Sequence, residues 1–380
     1  MPRTPAPAIA GLAPAAFLRR HWQKRSKLFR AALPGFAGPF SRNDLVALAC
    51  RDDVESRLVV RARGRLAVEH GPFAPRRFAS LPARGWTLLV QGTNLVDERA
   101  DALMHRFDFL PFARLDDVMV SYAAPGGGVG PHLDAYDVFL LQGFGRRRWR
   151  WGRQTDTSFR PGLPLRILAR FEPTHDAVLG SGDMLYLPPG VAHFGVSDEP
   201  CFTYSIGFLA PSHRELCQTF LGYLNEELAP EIDPDALYQD PDLQPQQSHL
   251  TLSDAMIDQV TTILEQVRWD RDRVGDFLGR LLTGRKLPKG DVAPSRTLSR
   301  LAFARRTKGP GRLTLSLASR GLLRGDCVFL NGEAHHVEPK TRALLTELLH
   351  ARSLPLPLPL DDQALALLYD LHTAGYLLVS

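Results

Sequence analysis

Short apolar runs punctuated by glycine and proline fill the first two hundred residues, and the spacing then changes to a helical one. Strand patterns fall at Trp86–Val90, Val118–Tyr122, Val138–Leu141, Met184–Leu187 and Phe202–Ile206. Short strands separated by turn residues predict a sandwich or barrel rather than βαβ units. Ahead of them, residues 17–35 set Trp22 and Phe29 among apolar positions and predict a helix and a strand, with their Lys and Arg residues on a solvated face. Past Pro211, Thr251 with Asp254 reads as a capping box. Met256, Ile257, Val260, Ile263, Leu264 and Val267 follow at helical spacing. A second run carries Val274, Phe277, Leu278, Leu281 and Leu282 on one face and stops near Gly284. Two such stripes need a cover. The rest of the monomer and a second copy of the chain are both open as that cover.

The polar stretch from Gly284 to Pro294 predicts a domain boundary. Beyond it, Asn331-Gly332 between Val328–Leu330 and Ala334–Val337 predicts a two-residue hairpin. Leucine-rich helices are expected at 341–351 and 361–373, joined by the Leu/Pro alternation of 354–360. The expected organisation is a mainly β catalytic unit over 1–212, a helical region over 213–290 and a small winged-helix-like α+β domain over 291–380. Arg305, Arg306 and Lys308 read as a solvated basic cluster.

A chain of 380 residues suits this division into about two or three domains. The net charge of +5 permits an RNA-rich partner but does not ask for one, and direct nucleic-acid binding is not expected. Cys50, Cys201, Cys217 and Cys327 show no CxxC pairing, which points to buried thiols in a reduced, cytoplasmic compartment. No apolar run is long enough to span a bilayer, so no membrane association is expected. Pro5, Pro7 and Pro14 interrupt the N-terminal segment, which reads as a disordered leader and not as a signal peptide.

The chemistry is concentrated in His132-Leu133-Asp134 and His193. Strand side chains alternate with period two, so an HxD pair presents both ligands on one face. The pair follows the glycine-rich run Pro125 to Pro131, and His193 closes a strand-turn string, Gly182-Asp183-Met184-Leu185-Tyr186-Leu187-Pro188-Pro189-Gly190-Val191-Ala192. Two imidazoles and one carboxylate hold Fe(II) on one face and leave the other open to a co-substrate and dioxygen. His175 is the rival third ligand, in a loop that lacks the strand-turn frame; Asp183 reads as a turn residue. Zinc accepts the same donors.

What tilts the choice to iron is the hairpin after Phe139. Alternation puts Arg147, Trp149 and Trp151 on one face and Arg146, Arg148 and Arg150 on the other. Arg147 is thereby carried inward with two tryptophans, and a buried guanidinium needs an anion. The far carboxylate of 2-oxoglutarate is one candidate and an internal Asp or Glu the other. On the strand Phe202–Leu209, Phe202, Tyr204, Ile206 and Phe208 share an apolar face, opposite Thr203, Ser205 and Gly207. The small residues either hydrogen-bond a co-substrate or fill a tapering barrel.

At these residues the chain resembles the JmjC-type Fe(II)/2-oxoglutarate oxygenases, and within them the bacterial ribosomal oxygenases. The resemblance is carried by Pro125 to Asp134, by Tyr136-Asp137-Val138-Phe139, by Gly145 to Arg150, by Pro188-Pro189-Gly190 before His193, and by Tyr204 to Phe208. Trp22-Gln23-Lys24-Arg25 also matches, although Ser26 stands where the family often has proline. The match spans nearly the whole chain and is loose beyond residue 212. It implies a double-stranded β-helix of the cupin/JmjC kind, a helical dimerisation region giving a homodimer, and a winged-helix end. It also implies His132, Asp134 and His193 as catalytic iron ligands, Arg147 as partner of the 2-oxoglutarate carboxylate, and Ser205 and Ser121 as further co-substrate contacts. The implied activity is hydroxylation of an arginine in a large-subunit ribosomal protein. Asp137, Tyr122 and Tyr136 are candidates for the substrate pocket. Hydroxylation of histidine, demethylation of methyl-lysine, a zinc-dependent cupin enzyme and a non-enzymatic scaffold are the competing readings. Product mass, dependence on Arg147 and salt-sensitive nucleic-acid binding separate them.

Overall fold

The computed structural model describes residues 9–380 apart from 63–64, 229–232, 234, 242, 246–249 and 285–296. Its N-terminal half is built on β1 (Lys27–Phe29), β2 (Ser56–Ala62), β3 (Arg65–His70), β4 (Trp86–Val90), β5 (Leu115–Ala123), β6 (Asp137–Gln142), β7 (Arg147–Gly152), β8 (His175–Leu179), β9 (Met184–Leu187), β10 (Ala192–Ser197) and β11 (Cys201–Phe208). An eight-stranded antiparallel sheet in the order β1-β9-β6-β11-β5-β4-β2-β3 faces a three-stranded sheet β10-β7-β8. Together they form a double-stranded β-helix.

Period-two alternation decides what each strand buries. On β6, Val138 and Leu140 enter the core between the sheets, against Trp149, Trp151, Leu179 and Leu185. Phe139 and Leu141 point the other way, into a larger core. That core is roofed by α1 (Pro14–Arg20), α2 (Arg42–Ala49) and α4 (Glu98–Met104), while the short α3 (Pro75–Ala79) follows β3. Phe17 of α1 sits 5.5 Å from Phe139 and 4.9 Å from Tyr186, ring to ring.

The disordered leader expected at the N-terminus is corrected from Ile9 onward. Ile9 is buried, Ala10 N–H donates to the Ala32 carbonyl, and Pro14 opens α1. Proline at a first helical position lacks only an N–H that would have had no partner, so here it starts a helix. Residues 1–8 lie outside the described residues.

The middle region holds α5 (His213–Leu228), α6 (Asp254–Leu264) and α7 (Arg271–Thr283). Ser253, not Thr251, caps α6 by accepting from Met256 N–H. The residue at the third helical position is therefore Met256, and the returning carboxylate of a capping box is missing. α6 buries none of its residues, whereas α7 buries Phe277 and stops at Gly284 as expected. A Cβ on Gly279 would come within 2.4 Å of the Phe329 ring, so α7 lies tight on the C-terminal sheet.

That C-terminal unit comprises α8 (Arg300–Arg306), β12 (Gly311–Leu315), β13 (Gly321–Arg324), β14 (Cys327–Leu330), β15 (Glu333–His336), α9 (Pro339–Ala351), β16 (Ser353–Leu356), α10 (Asp362–Thr373) and β17 (Leu377–Val379). β14 and β15 pair Leu330 with Glu333 across Asn331-Gly332, whose φ angles of 52° and 94° are those of a tight two-residue hairpin. The first part of the Leu/Pro alternation is itself a strand, β16, with Leu354 and Leu356 turned inward. Most of the boundary expected at 284–294 lies outside the described residues.

Candidate metal centre and its cavity

The glycine-rich run that precedes the first ligand lies against two strands. A Cβ on Gly127 would sit 2.3 Å from the Trp86 carbonyl oxygen, and one on Gly128 would sit 2.4 Å from that of Gly195. Only glycine lets the backbone pass so close. The run then delivers His132 to an isolated bridge with His193, each N–H donating to the other's carbonyl at 3.0 Å. The Pro188-Pro189-Gly190 turn ahead of His193 is tied to the second ligand by Gly190 N–H donating to the Asp134 carbonyl at 2.9 Å.

His132, Asp134 and His193 thereby offer three ligand atoms, all within 4.8 Å of one another. Nδ1 of His132 lies 3.0 Å from the Gly130 carbonyl, and Nδ1 of His193 lies 3.0 Å from that of Val191. A carbonyl can only accept, so each ring carries its proton on Nδ1 and turns a free Nε2 lone pair to the centre. The His193 Nε2 is 3.5 Å and the His132 Nε2 3.9 Å from the Asp134 carboxylate. Burial, with His132 beside it, pushes His193 down to about 4, against the pull of Asp134. A neutral imidazole is the ligating form. The donor set therefore fits an Fe(II) ion.

His175, expected in a loop, instead heads β8 and stacks on Trp151 at 5.1 Å, outside this group. Asp183 does serve a turn, accepting from Gly180 N–H and Ala31 N–H and pairing with Arg30.

The three residues stand at the wall of a cavity of about 410 Å³, lined also by Ser121, Tyr136, Leu140, Arg147, Thr203 and Ser205. Arg147 is 4 % exposed. Its hydrogen-bond partners are the Ser121 and Thr203 hydroxyls at 3.4 and 3.3 Å and the Gly195 carbonyl at 3.3 Å, and its Nε has no partner. These partners are all neutral, and burial holds the guanidinium below its ordinary value. A charged, incompletely satisfied group aimed into a cavity fits a bidentate carboxylate such as that of 2-oxoglutarate. Ser121 and Ser205 both reach the cavity. Thr203, which donates to Gln142 Oε1 at 3.2 Å, adds a hydroxyl that the alternation on β11 already exposed.

Two of the three residues suggested for the substrate pocket do not reach it. Asp137 is fully buried, accepting from Tyr186 Oη at 2.5 Å and Gln23 Nε2 at 2.9 Å, with Arg114 at 3.6 Å. It ties the N-terminal segment to the barrel. Tyr122 packs on the outer face against Trp86 and Phe202. Tyr136 does line the cavity. One carboxylate that the sequence reading did not single out stands near this cavity, Asp117. It shares a face of β5 with Met119 and Ser121, both cavity residues, and accepts from Gly92 N–H at 3.0 Å. A Cβ at Gly207 would lie 3.3 Å from its Oδ1, so glycine there leaves Asp117 its room.

A family model described as "JmjC domain" matches residues 102–216, and one described as "ROXA-like winged helix" matches residues 266–378. The Escherichia coli protein named ribosomal protein uL16 3-hydroxylase is 37% identical over 320 residues, which cover 83% of this chain and 84% of that one. The chain belongs to the JmjC ribosomal oxygenases. A probable ribosomal oxygenase of Haemophilus influenzae is 39% identical over 209 residues, 54% of this chain and 52% of that one. Among solved structures, the Escherichia coli ribosomal oxygenase in complex with cobalt and 2-oxoglutarate superposes with a TM-score of 0.81. It is 34% identical and covers 97% of this chain and 99% of that one. Membership accounts for the pairing of a JmjC barrel with a winged-helix end. Ser26, where the resemblance suggested proline, accepts from the Trp151 indole N–H at 3.0 Å, a side-chain acceptor that proline lacks. No helix among the described residues is long and apolar enough to cross a membrane.

Proposed function

We propose that this chain is an Fe(II)- and 2-oxoglutarate-dependent hydroxylase acting on an arginine side chain of a large-subunit ribosomal protein of the uL16 kind. One observation carries the reading: His132, Asp134 and His193 meet on the same cavity into which Arg147 projects with only neutral partners. The two Nε2 atoms and the Asp134 carboxylate would hold the metal. The chemistry supplied there is dioxygen reduction coupled to decarboxylation of 2-oxoglutarate to succinate and insertion of one oxygen atom into a C–H bond.

The protein's own part is binding and exclusion. Arg147 takes the distal carboxylate of the co-substrate, and Ser121 and Thr203 hold the guanidinium in plane for it. Ser205 offers a further hydroxyl from β11. Val138, Leu140 and Trp149 give the cavity an apolar wall that keeps water from the reacting centre. Asp117 supplies the counter-charge that an arginine side chain requires, with Tyr136 as the adjoining wall. In this reading residues 1–212 catalyse, 213–290 associate two copies into a homodimer, and 291–380 form the winged-helix end. α6 supports the dimer by leaving Met256, Ile257, Ile263 and Leu264 exposed. A ribosomal-protein substrate carries with it a cytoplasmic location.

The test is succinate formation from 2-oxoglutarate with Fe(II), ascorbate and uL16 peptides, with the peptide mass read alongside. Peptide-stimulated turnover with one oxygen gained on an arginine is the expected result. Loss of a methyl group, or oxygen on a histidine, would transfer the assignment to another substrate. No turnover by folded, iron-loaded protein would overturn it.

A further inference from the structure

We propose that Arg320, from the winged-helix end, is a positioning residue for the substrate side of the catalytic cavity and acts through Asp117. The inference rests on the reading above, in which Asp117 receives a cationic side chain.

Arg320 is 6 % exposed and reaches out of its own unit into the barrel. Its Nη2 donates to the carbonyls of Leu115 and Asp116 at 2.6 and 2.7 Å, and its guanidinium lies 5.9 Å from the centre of the Phe112 ring. Leu115 and Asp116 are the first two residues of β5, directly before Asp117. The clamp therefore grips the strand end from which the Asp117 side chain projects.

Asp117 has one oxygen fixed by Gly92 N–H, and Gly207 leaves the space beside the other. The direction of that second oxygen is then set by where the β5 backbone lies. Arg320 is itself preorganised. Its N–H donates to Asn331 Oδ1 at 2.8 Å, and its carbonyl accepts from Asn331 N–H at 3.0 Å. The tip of that hairpin is anchored to α7, where the Thr283 hydroxyl accepts from Gly332 N–H at 3.0 Å.

The electrostatics agree with the geometry. Burying a guanidinium against carbonyls alone leaves its charge poorly compensated. Burial draws Arg320 down and the Asp117 carboxylate opposes this; burial raises Asp117 and Arg320 opposes that in turn. Arg320, Asp116 and Tyr136 also line a cavity of about 320 Å³ between the barrel, α5 and α7, and Tyr136 is a wall of the metal cavity too. The junction between the units and the catalytic cavity thus share a residue.

The test is a cycle of full-length variants, Arg320→Gln, Arg320→Lys, Asp117→Asn and the Arg320→Gln/Asp117→Asn pair, assayed with a uL16 arginine peptide. Arg320→Gln is expected to raise the peptide KM about tenfold, the order of losing a hydrogen bond from a charged donor. The KM for 2-oxoglutarate stays in place, and Arg320→Lys recovers part of the loss. In the Asp117→Asn background, Arg320→Gln should add nothing further. A merely structural arginine would instead move both KM values, or act additively with Asp117→Asn, and either result overturns the proposal. So does a wild-type peptide KM in Arg320→Gln. Should Arg320→Gln not fold, the Arg320→Lys/Asp117→Asn cycle decides by the same additivity. If the wild type leaves the arginine unmodified, the substrate reading itself has failed and this inference goes with it.

Discussion

His132 and His193 hydrogen-bond to each other through their backbones, each N–H on the other's carbonyl at 3.0 Å, and their rings lie 4.1 Å apart. The two imidazoles of the candidate centre are thus carried on one bridge, and its closeness depends on neighbours that are not ligands. Gly128 passes so near Gly195 that a Cβ would lie 2.4 Å from its carbonyl. Gly128→Ala should wedge the glycine run away from β10 and lower Fe(II) or Co(II) affinity by about 10–100-fold, as supporting-shell changes do. Calorimetric titration of the metal checks this. Asp134→Ala should abolish both binding and turnover with the fold intact by circular dichroism. A Gly128→Ala protein that binds metal like the wild type would show that the bridge does not frame the site.

Arg147 is a buried charge whose hydrogen-bond partners are all neutral oxygens. Without one, replacing it by an apolar residue of similar length should help the fold. Arg147→Met is expected to stabilise the ligand-free protein by on the order of 1 kcal/mol. It should also erase the gain that 2-oxoglutarate confers on the metal-loaded wild type, which is about 2.7 kcal/mol at a hundredfold excess over Kd. Thermal melts with and without 2-oxoglutarate measure both. A variant that is less stable and still stabilised by 2-oxoglutarate would remove Arg147 from the co-substrate site.

Asp117 should show the same trade between stability and function. Burial raises its carboxyl, outweighing Gly92 N–H and Arg320. The folded protein therefore keeps this proton to a higher pH than the unfolded chain does. The associated stability is fully present below the unfolded carboxyl value, near pH 4, and is lost as pH rises through the folded value. Asp117→Asn abolishes that loss. The stability advantage of the variant over the wild type should widen from about pH 4 towards neutrality, while its peptide KM rises about tenfold. Chemical denaturation at several pH values and steady-state kinetics test the two halves separately. A gap that narrows with pH would mean that Asp117 is stabilised, and not strained, by its surroundings.

What could be read from the sequence was what local periodicity controls. Alternation by itself turned Arg147 inward with Trp149 and Trp151, and set Thr203 and Ser205 opposite Phe202 and Tyr204; β7 buries the first three, and β11, buried throughout, sends Phe202 and Tyr204 to the large core and Thr203 and Ser205 to the cavity. The Asn331-Gly332 hairpin was legible because both residues tolerate positive φ. Contacts between distant segments were not legible. Asp137 looked like a pocket acid, yet Gln23 and Tyr186 converge on it from far along the chain. Asp117 escaped notice because the apolar strand signal starts at Val118, whereas β5 itself begins at Leu115 and takes in both aspartates ahead of it. Ser253 and Thr251 are both plausible caps, and the choice between them lies in how the chain arrives at α6.

The last prediction concerns α6. Met256, Ile257, Ile263 and Leu264 recur at helical spacing yet stay 42, 46, 44 and 64 % exposed in the single chain. An apolar stripe of this kind on a helix that buries nothing marks a surface made to be covered. In a two-fold dimer each patch meets its own copy, so a single substitution enters the interface twice. Ile257→Glu combined with Leu264→Glu would set like charges against each other across the axis. The expected outcome is a halving of the mass by light scattering. The triad, Arg147 and Asp117 all come from one chain, so co-substrate and metal binding by the resulting monomer should stay close to wild type. A wild type that is monomeric, or a double variant that still runs as a dimer, would take α6 out of the interface and require another explanation for its exposed face.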